Sequence, residues 1–365
     1  MNFELNDEQC MLEDAVAKLV AGKLRGERPV FAVSDAAWQK RWQQLAELGV
    51  AGLLVNPEHG GAGMGALDAV VVARALGRGN ARLPFAVCAA SALWLLDQAA
   101  SPAFKAQWLA KACAGEVLFT LAVDDDNHLP QPPGVRLEGQ ALHGRKSAVV
   151  AGGLAQWLIV PAQDVAGATR LLAVPADHPA VRIWSVPQLD GHNSAELQLN
   201  GVPLADVEEL NAGANPDALL AQALDIGRVV LCAEAQGLME SLWRQALDYL
   251  KNRQQFRQPL IQFQVLQHRL VDMLTAVESA HSATLLGAAS LLHANADAER
   301  SQQVALAKCR IGRLAVQVAE QATQCFGGMG ITDEFESSHY TRRLHTIDMT
   351  WGNADEQLRR YAAQM

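Results

Sequence analysis

The sequence predicts an α+β protein with an N-terminal helical domain, a central small antiparallel β domain and a C-terminal helical bundle. Changes in hydrophobic spacing predict this order, because apolar residues recur about every 3.6 positions in helices and about every two in strands. Residues 1–115 have helical spacing, residues 116–210 contain short apolar runs, and residues 211–365 return to the helical period. We therefore expect domain boundaries near positions 115 and 210.

The N-terminal domain is predicted to begin with a helix in NDEQCMLEDAVAKLV. Its first residue, Asn6, is a favoured N-cap, and the acids after it suit the positive end of a helix dipole. A glycine-dense loop, GVAGLLVNPEHGGAGMG, separates this helix from one in LDAVVVARALG, which we expect to end at Gly77. The longest apolar run, Phe85–Leu96, is too short to cross a bilayer and indicates a buried helix.

The β domain is indicated by short apolar runs that Pro, Gly or Asp interrupts within a few residues. These runs are VLFTLAV, WLIV and RLLAV. In AELQLNGVPL, Leu197 and Leu199 alternate with polar residues, which is typical of a strand buried on one face. The short segment NAGANP then predicts a junction with the next domain.

Long amphipathic helices are predicted from about residue 215 onward. Apolar stripes need partner helices to cover them, so we expect four or more long helices to pack as a bundle. The stripes consist of Leu238, Leu242, Ala246 and Leu250; of Leu266, Leu270, Leu274 and Val277; and of Val304, Ala307, Ile311, Leu314 and Val318.

Composition disfavours several classes of protein. Half of the residues are hydrophobic and 19% are charged, which is enough apolar material for a large core. The net charge of −9 disfavours nucleic-acid partners, because it repels a phosphate backbone. No apolar run predicts a membrane span, the acidic N-terminus does not resemble a secretion signal, and the six Cys are typical of reduced, buried thiols. We expect a cytoplasmic protein without a metal site.

Two glycine-containing stretches resemble nucleotide-binding motifs but lack the required context. GAGMGA, Gly61–Ala66, fits a weak dinucleotide fingerprint, yet no strand-like run directly precedes it and no acid follows at the position that would bind a ribose. We expect a tight loop between helices. GQALHGRKS, Gly139–Ser147, is similar to a P-loop, but Arg145 separates the Gly from the Lys, so a turn joining two strands is expected.

Two stretches of the predicted bundle suggest ligand binding. In RQQFRQPLIQFQ, Pro259 is expected to end a long helix whose last turn carries Arg253 and Phe256. A guanidinium and an aromatic ring at a helix end can bind a flat, anionic ligand. In QCFGGMG, Gly327 and Gly328 follow another long helix and allow a ligand to approach the backbone closely. Taken alone, the first stretch is better explained by an ordinary surface Arg, and the second by a C-cap glycine pair.

Together and in this order, these stretches resemble the acyl-CoA dehydrogenase family. The family pattern is R-x-x-F-G-x-P-I-x-x-F-Q, then Q-x-x-G-G-x-G, then a C-terminal turn, with a Y-G-G-x-G loop in the N-terminal domain that HGGAG at 59–63 resembles. The family's architecture of helical domain, β domain and helical bundle is similar to the three zones described above. The resemblance covers nearly the whole chain.

The resemblance implies an FAD-dependent flavoprotein that removes the α and β hydrogens of an acyl-CoA thioester. It implies a dimer or tetramer, homo- or hetero-oligomeric, that passes electrons to an electron-transfer flavoprotein or a similar acceptor. Each FAD of the family lies at a subunit interface, with its ring against its own β domain and its nucleotide half reaching the neighbour. The residues that the resemblance assigns to this nucleotide half are Arg253, Phe256, Phe263, Gln264, Gln324, Gly327, Gly328 and Asn353.

The sequence departs from the family at its catalytic positions. The usual C-terminal turn is Y-E-G-T, whose Glu is the proton-removing base, and Trp351 takes the place of that Glu. Some members carry the base in L-D-x-E-R on the first bundle helix, where this chain has Gly227. The family's T-E-P-x-x-G-S-D segment, which binds the flavin ring and substrate, is replaced by LAVDDDNHLPQPP, residues 121–133, and Arg257 replaces a Gly.

The catalytic base is therefore unknown, and three hypotheses stay open. The chain is a subunit of a mixed oligomer, similar to some bacterial steroid-degrading members, whose partner carries the base. Alternatively, it is a homo-oligomeric enzyme whose base has moved to Glu234 or Asp348, which are otherwise expected to be a solvated helix-face acid and a surface charge. Asp355 is a further nearby acid. In the third hypothesis, the chain is a scaffold that reuses the fold.

Overall fold

The structure, a computed structural model, describes residues 5–24, 35–124, 134–211, 213–293 and 297–363. The predicted order of helices, sheet and helices is confirmed. The chain forms two compact units, each built from separate stretches of sequence. The first, here the helical unit, consists of Met1–Phe31, Ala66–Arg82 and Arg228–Met365, and the second, the sheet unit, of Ala32–Gly65 and Leu83–Gly227. The boundaries near 115 and 210 stay a prediction.

The described residues contain ten α-helices and ten strands. The helices are α1 (Asp7–Leu19), α2 (Asp35–Ala46), α3 (Ala66–Arg78), α4 (Trp94–Ala99), α5 (Pro102–Cys113), α6 (Pro216–Asn252), α7 (Gln264–His293), α8 (Asp297–Phe326), α9 (Glu336–Met349) and α10 (Ala354–Ala362). The strands are β1 (Phe119–Leu121), β2 (Val135–Glu138), β3 (Ala141–Val150), β4 (Trp157–Gln163), β5 (Thr169–Pro175), β6 (Val181–Pro187), β7 (Asn193–Pro203), β8 (Glu208–Glu209), β9 (Gln254–Gln255) and β10 (Gln258–Pro259).

Helix α1 begins at the predicted cap. The Asn6 side chain accepts a hydrogen bond from the backbone of Gln9 at 2.8 Å, and the Gln9 side chain accepts one from the backbone of Asn6. This reciprocal capping box satisfies two backbone donors that a helix start leaves without partners.

Helix α3 extends to Arg78, so the expected end at Gly77 is wrong by one residue. Gly77 serves helix packing instead, because a Cβ atom there would lie 2.1 Å from the backbone oxygen of Glu234 on α6. Gly237 on α6 faces α3 in the same way, with its Cβ position 2.1 Å from the backbone oxygen of Arg74. Two glycines therefore allow the two helices to cross at close range.

The apolar run of the sheet unit is helical and buried, as predicted. Phe85–Leu93 forms a π-helical segment that continues into α4, and every residue from 85 to 93 is buried. Within the described part of the chain, no helix has both the length and the apolar character needed to cross a membrane.

The sheet of the sheet unit has the order β6-β7-β3-β2-β4-β5-β8, with β1 also paired to β4. Most pairs are antiparallel, but β1 and β2 each run parallel to β4, which differs from the fully antiparallel sheet that the sequence predicts. The predicted alternation in β7 is confirmed, since Leu197 and Leu199 are buried and Asn200 is exposed. Residues 139 and 140 form the turn between β2 and β3, as expected for GQALHGRKS.

The helical unit buries most of the predicted stripes. The α6 stripe from Leu238 to Leu250 is inaccessible to solvent, and the α8 stripe from Val304 to Val318 is buried. On α7, Leu274 is 36% exposed while its neighbour Met273 is fully buried. The predicted α7 stripe is therefore wrong at Leu274.

Candidate functional site

Helix α6 ends before the first predicted site residue. The last helical bond is donated by the backbone of Arg253 to the oxygen of Tyr249 at 2.8 Å, and the helix ends at Asn252. The expectation that Pro259 ends the helix and that Arg253 and Phe256 share its last turn is therefore wrong. The chain instead turns back through a small hairpin, β9–β10, which the helix-period analysis could not reveal.

The turn of this hairpin has an unusual backbone. Gln255 pairs with Gln258, so Phe256 and Arg257 form a two-residue loop, and both have positive φ, of 53° and 63°. Two positive φ angles define the turn that fits the natural twist of a hairpin, but Gly or Asn normally occupies these positions. The Phe256 side chain is 85% exposed. Its ring meets the Phe263 ring edge-on, with the two ring centroids 6.0 Å apart. The turn therefore exposes an aromatic ring three residues after Arg253 in the sequence.

The second predicted segment lies at the end of α8. Gly327 has a φ of 63°, and Cβ atoms added at Gly327 or Gly328 would have no heavy atom of the described residues within 4 Å. Gln324 is exposed one turn earlier. The glycines therefore form an accessible backbone surface rather than a close helix contact.

An aromatic cluster brings the ends of α6 and α8 together. The ring centroids of Tyr249 and Phe326 lie 5.3 Å apart. The Phe335 centroid lies 6.1 Å from that of Tyr249 and 5.0 Å from that of Phe326. Arg253 follows Tyr249 by one helical turn, and Gly327 directly follows Phe326. The structure thus brings the two predicted segments to the same end of the bundle.

The remaining residues of the predicted surface begin the next helix. Phe263 is half-buried and follows a 3-10 turn at Leu260–Gln262, and Gln264 is the exposed first residue of α7. The contact of all these residues with a cofactor stays a prediction.

The C-terminal turn between α9 and α10 carries Trp351, which is 5% exposed and has a φ of 54°. Its backbone oxygen accepts hydrogen bonds from Nε of Arg228 at 3.1 Å and from Nε2 of Gln357 at 2.8 Å. Asn353 caps α10: its side chain accepts from the backbone of Glu356 at 3.0 Å, and the Glu356 carboxylate accepts from the backbone of Asn353. The capping oxygen of Asn353 is therefore directed at its own helix.

A buried lysine supports the same turn. Nζ of Lys308, on α8, donates to the backbone oxygens of Ile347 at 2.8 Å and Asp348 at 2.9 Å, and lies 3.5 Å from that of Gly352. Lys308 is 1% exposed, and burial holds the pKa of its ammonium group below the usual range. Lys308 is not among the residues predicted from the sequence, although a Lys within the apolar stripe of α8 indicates a buried charge.

The second family position for the base and the alternative acid Glu234 are both buried in α6. Gly227 lies buried inside α6. Glu234 is not the expected solvated acid, because it is 7% exposed and accepts from Arg343 through both carboxylate oxygens, at 2.7 and 2.9 Å. Both side chains point into the packed helical unit, where a charge is stable only with a partner.

Asp348 is not the expected surface charge either. It is half-buried, and its Oδ1 accepts from the backbone of Ala354 at 3.2 Å. The same oxygen lies 2.0 Å from the place where a side chain at Gly312 would begin, so Gly312 makes room for it. Asp355 is exposed and pairs with Arg313 at 3.3 Å. These contacts join α8, the turn and α10, and the identity of the catalytic base stays a prediction.

The two glycine-containing loops of the N-terminal region were also predicted from the sequence. GAGMGA lies in a loop between a 3-10 turn, Pro57–His59, and the sequence position where α3 begins, as expected. In HGGAG, His59 Nδ1 lies 2.6 Å from the carboxylate of Asp97.

Residues 125–133 of the replaced ring-binding segment lie outside the described residues. All six Cys are free, as expected, but the expected burial is wrong for Cys10, which is exposed while the other five are buried. No described group of three or more His, Cys, Asp or Glu could hold a metal ion.

Comparison with known proteins gives consistent matches. Residues 6–116 match the family model described as acyl-CoA dehydrogenase, N-terminal domain, and residues 218–365 match acyl-CoA dehydrogenase, C-terminal domain. Mitochondrial isovaleryl-CoA dehydrogenase of Arabidopsis thaliana is 26% identical over 96% of this chain and 89% of its own length.

Solved structures match over the full length. The FAD complex of PigA has a TM-score of 0.88 at 20% identity, covering 100% of this chain and 99% of that one. The ChsE4-ChsE5 complex from Mycobacterium tuberculosis has a TM-score of 0.84 at 21% identity, covering 100% and 98%. At these identities, the likeness to the solved structures establishes the fold alone.

Proposed function

This chain belongs to the acyl-CoA dehydrogenase family, and from that premise we propose that it is an FAD-binding subunit of an enzyme that dehydrogenates an acyl-CoA thioester. We further propose that a partner chain supplies the carboxylate that removes the α-proton. The observation that carries the proposal is the C-terminal turn, where buried Trp351 occupies the position of the expected Glu.

The exposed surface at the ends of α6 and α8 suits the nucleotide half of FAD. Arg253 offers a guanidinium for phosphate oxygens, Phe256 offers an exposed ring for stacking, and Gly327 and Gly328 leave the backbone open. A strained turn that holds an exposed aromatic ring is a feature that folding alone does not favour. Bound FAD supplies the acceptor for the hydride that leaves the β-carbon of the thioester.

The chain lacks a side chain suited to proton removal at either family position. An indole has no basic lone pair, and Gly227 has no side chain. Glu234 accepts hydrogen bonds from Arg343 through both carboxylate oxygens in a buried pair, and Asp348 caps a backbone amide. A base must reach the proton that it removes, which supports a base on another chain over one relocated within this chain.

A complex with a second chain is consistent with this fold. The ChsE4-ChsE5 complex contains two differently named chains, and this chain matches its fold over the full length. We propose the same kind of hetero-oligomer here, with an electron-transfer flavoprotein or a similar protein as the electron acceptor. An exposed FAD-nucleotide surface would then be completed by the partner.

The test is the FAD content of the purified chain, alone and with a co-expressed acyl-CoA dehydrogenase partner that carries the usual Glu. Flavin absorbance per chain and its bleaching by a panel of acyl-CoA thioesters are measured anaerobically. We expect bleaching only in the mixed complex, with fewer FAD molecules than chains. A homogeneous chain that binds one FAD each and is bleached by an acyl-CoA would overturn the proposal. A chain that takes up no FAD in either preparation would instead favour a scaffold.

A further inference from the structure

Lys308 places a cation in the interior of the helical unit at the C-terminal turn. Its three potential donor hydrogens meet three backbone oxygens, those of Ile347, Asp348 and Gly352, at 2.8, 2.9 and 3.5 Å. These oxygens lie on both sides of Trp351 in the sequence. One side chain on α8 is thus bonded to the end of α9 and to the last residue before the cap of α10.

We propose that Lys308 is a positioning residue for the cofactor: its ammonium group fixes the turn at Trp351 and Gly352, and so sets where this turn lies relative to the nucleotide end of FAD. The part concerning FAD rests on the proposed function. The part concerning the turn rests on the hydrogen bonds alone.

A merely space-filling role does not explain this residue. Removing an ammonium group from water opposes folding, and an apolar side chain of similar length would fill the site without that cost. The ammonium group therefore contributes through its hydrogen bonds to the backbone oxygens of the turn. The neighbouring residue Gly312 supports the same reading, because the absence of its side chain leaves room for the Asp348 carboxylate, which caps Ala354.

Lys308 is not itself a replacement base. It is fully enclosed, and its hydrogens are directed at carbonyl oxygens rather than at an open space. A base requires a free lone pair within hydrogen-bond reach of the substrate. Its effect on catalysis must therefore pass through the turn.

The test compares Lys308→Met, Lys308→Arg and Gly312→Ala with Val318→Ala, a control that removes buried volume from the same helix away from the turn. Hydrogen exchange is measured without FAD at the amides of Ala354, Glu356 and Gln357, which are protected by the turn and the cap. We expect exchange at least about tenfold faster in Lys308→Met, partial recovery in Lys308→Arg, and no selective effect in Val318→Ala. Gly312→Ala displaces Asp348 by contact and should give the same pattern if Lys308→Met fails to fold.

The FAD dissociation constant of the mixed complex gives the second measurement. Lys308→Met should weaken FAD binding by about tenfold, with recovery in Lys308→Arg. Turn exchange that rises no more than in Val318→Ala overturns the positioning role. Faster exchange with unchanged FAD affinity overturns the link to the cofactor. A wild-type complex that never binds FAD overturns the proposed function, while the exchange measurement still decides the role of Lys308.

Discussion

The hairpin after α6 shows how single residues shape the candidate surface. Phe256 and Arg257 both adopt the left-handed region, where a side chain costs about 1–2 kcal/mol relative to the ordinary backbone. Neither residue is Gly or Asn, so the local sequence opposes the local structure. Strain of this kind persists where the surrounding structure imposes it, and here it accompanies an exposed Phe256 ring.

Arg257→Gly should therefore stabilise the protein by roughly 1 kcal/mol, because glycine adopts positive φ without a steric penalty. The urea midpoint of unfolding measures this change. Gln255→Gly, in the adjacent strand, is the matched control and should destabilise the protein by about 0.5–1 kcal/mol. An equal loss of stability in both variants would contradict the strain at Arg257.

The contribution of the Glu234–Arg343 pair to stability tests whether the Glu234 carboxylate is free for other chemistry. Replacing the carboxylate removes the counter-charge that accepts two hydrogen bonds from the buried guanidinium of Arg343, so Glu234→Gln should cost about 3–5 kcal/mol. The double variant Glu234→Leu with Arg343→Met should recover most of that loss, since both charges are then gone. A double-mutant cycle from urea unfolding measures the coupling. A Glu234→Gln variant as stable as the wild type would show that the carboxylate is free for other chemistry.

At the scale of elements, the crossing of α3 and α6 depends on two glycines. Gly77→Ala and Gly237→Ala would each place a methyl group 2.1 Å from a backbone oxygen of the facing helix. Backbone cannot move aside as a flexible side chain does, so each variant should lose about 1–3 kcal/mol or more.

Gly22→Ala is the control for this pair, because a Cβ atom there has no described heavy atom within 4 Å. Since Ala favours helical backbone over Gly by roughly 0.5–1 kcal/mol, this variant should be neutral or more stable. Thermal unfolding of the three variants checks the result. Equal stability of Gly77→Ala and Gly22→Ala would mean that the two helices do not approach as closely as the structure has them.

For the whole molecule, spacing alone predicted the succession of helices, sheet and helices, because periodicity reports which face of an element is buried. It missed the parallel pairing of β1 and β2 with β4, since pairing depends on contacts between distant segments. It also placed Arg253 and Phe256 on a helix, because a two-residue turn without Gly or Asn carries no recognisable signal.

Within the candidate site, the family resemblance assigned the residues at the ends of α6 and α8 to one nucleotide surface, but hydrophobic spacing gave no contact that joins the two ends. The Tyr249–Phe326 ring contact that unites them joins residues far apart in the chain. Glu234 was expected in solvent because its partner, Arg343, lies 109 positions away. Long-range pairs of this kind are visible only in the folded protein.

The most direct test of the account is the FAD dissociation constant of the mixed complex after Arg253→Ala. Arg244→Ala is the matched control, since Arg244 is an exposed arginine on α6 that pairs with Glu240. Charge-assisted hydrogen bonds contribute about 1.5–3 kcal/mol, so Arg253→Ala should weaken FAD binding by roughly tenfold to a hundredfold while Arg244→Ala leaves it unchanged. Equal FAD affinity in both variants would contradict a nucleotide surface at the ends of α6 and α8.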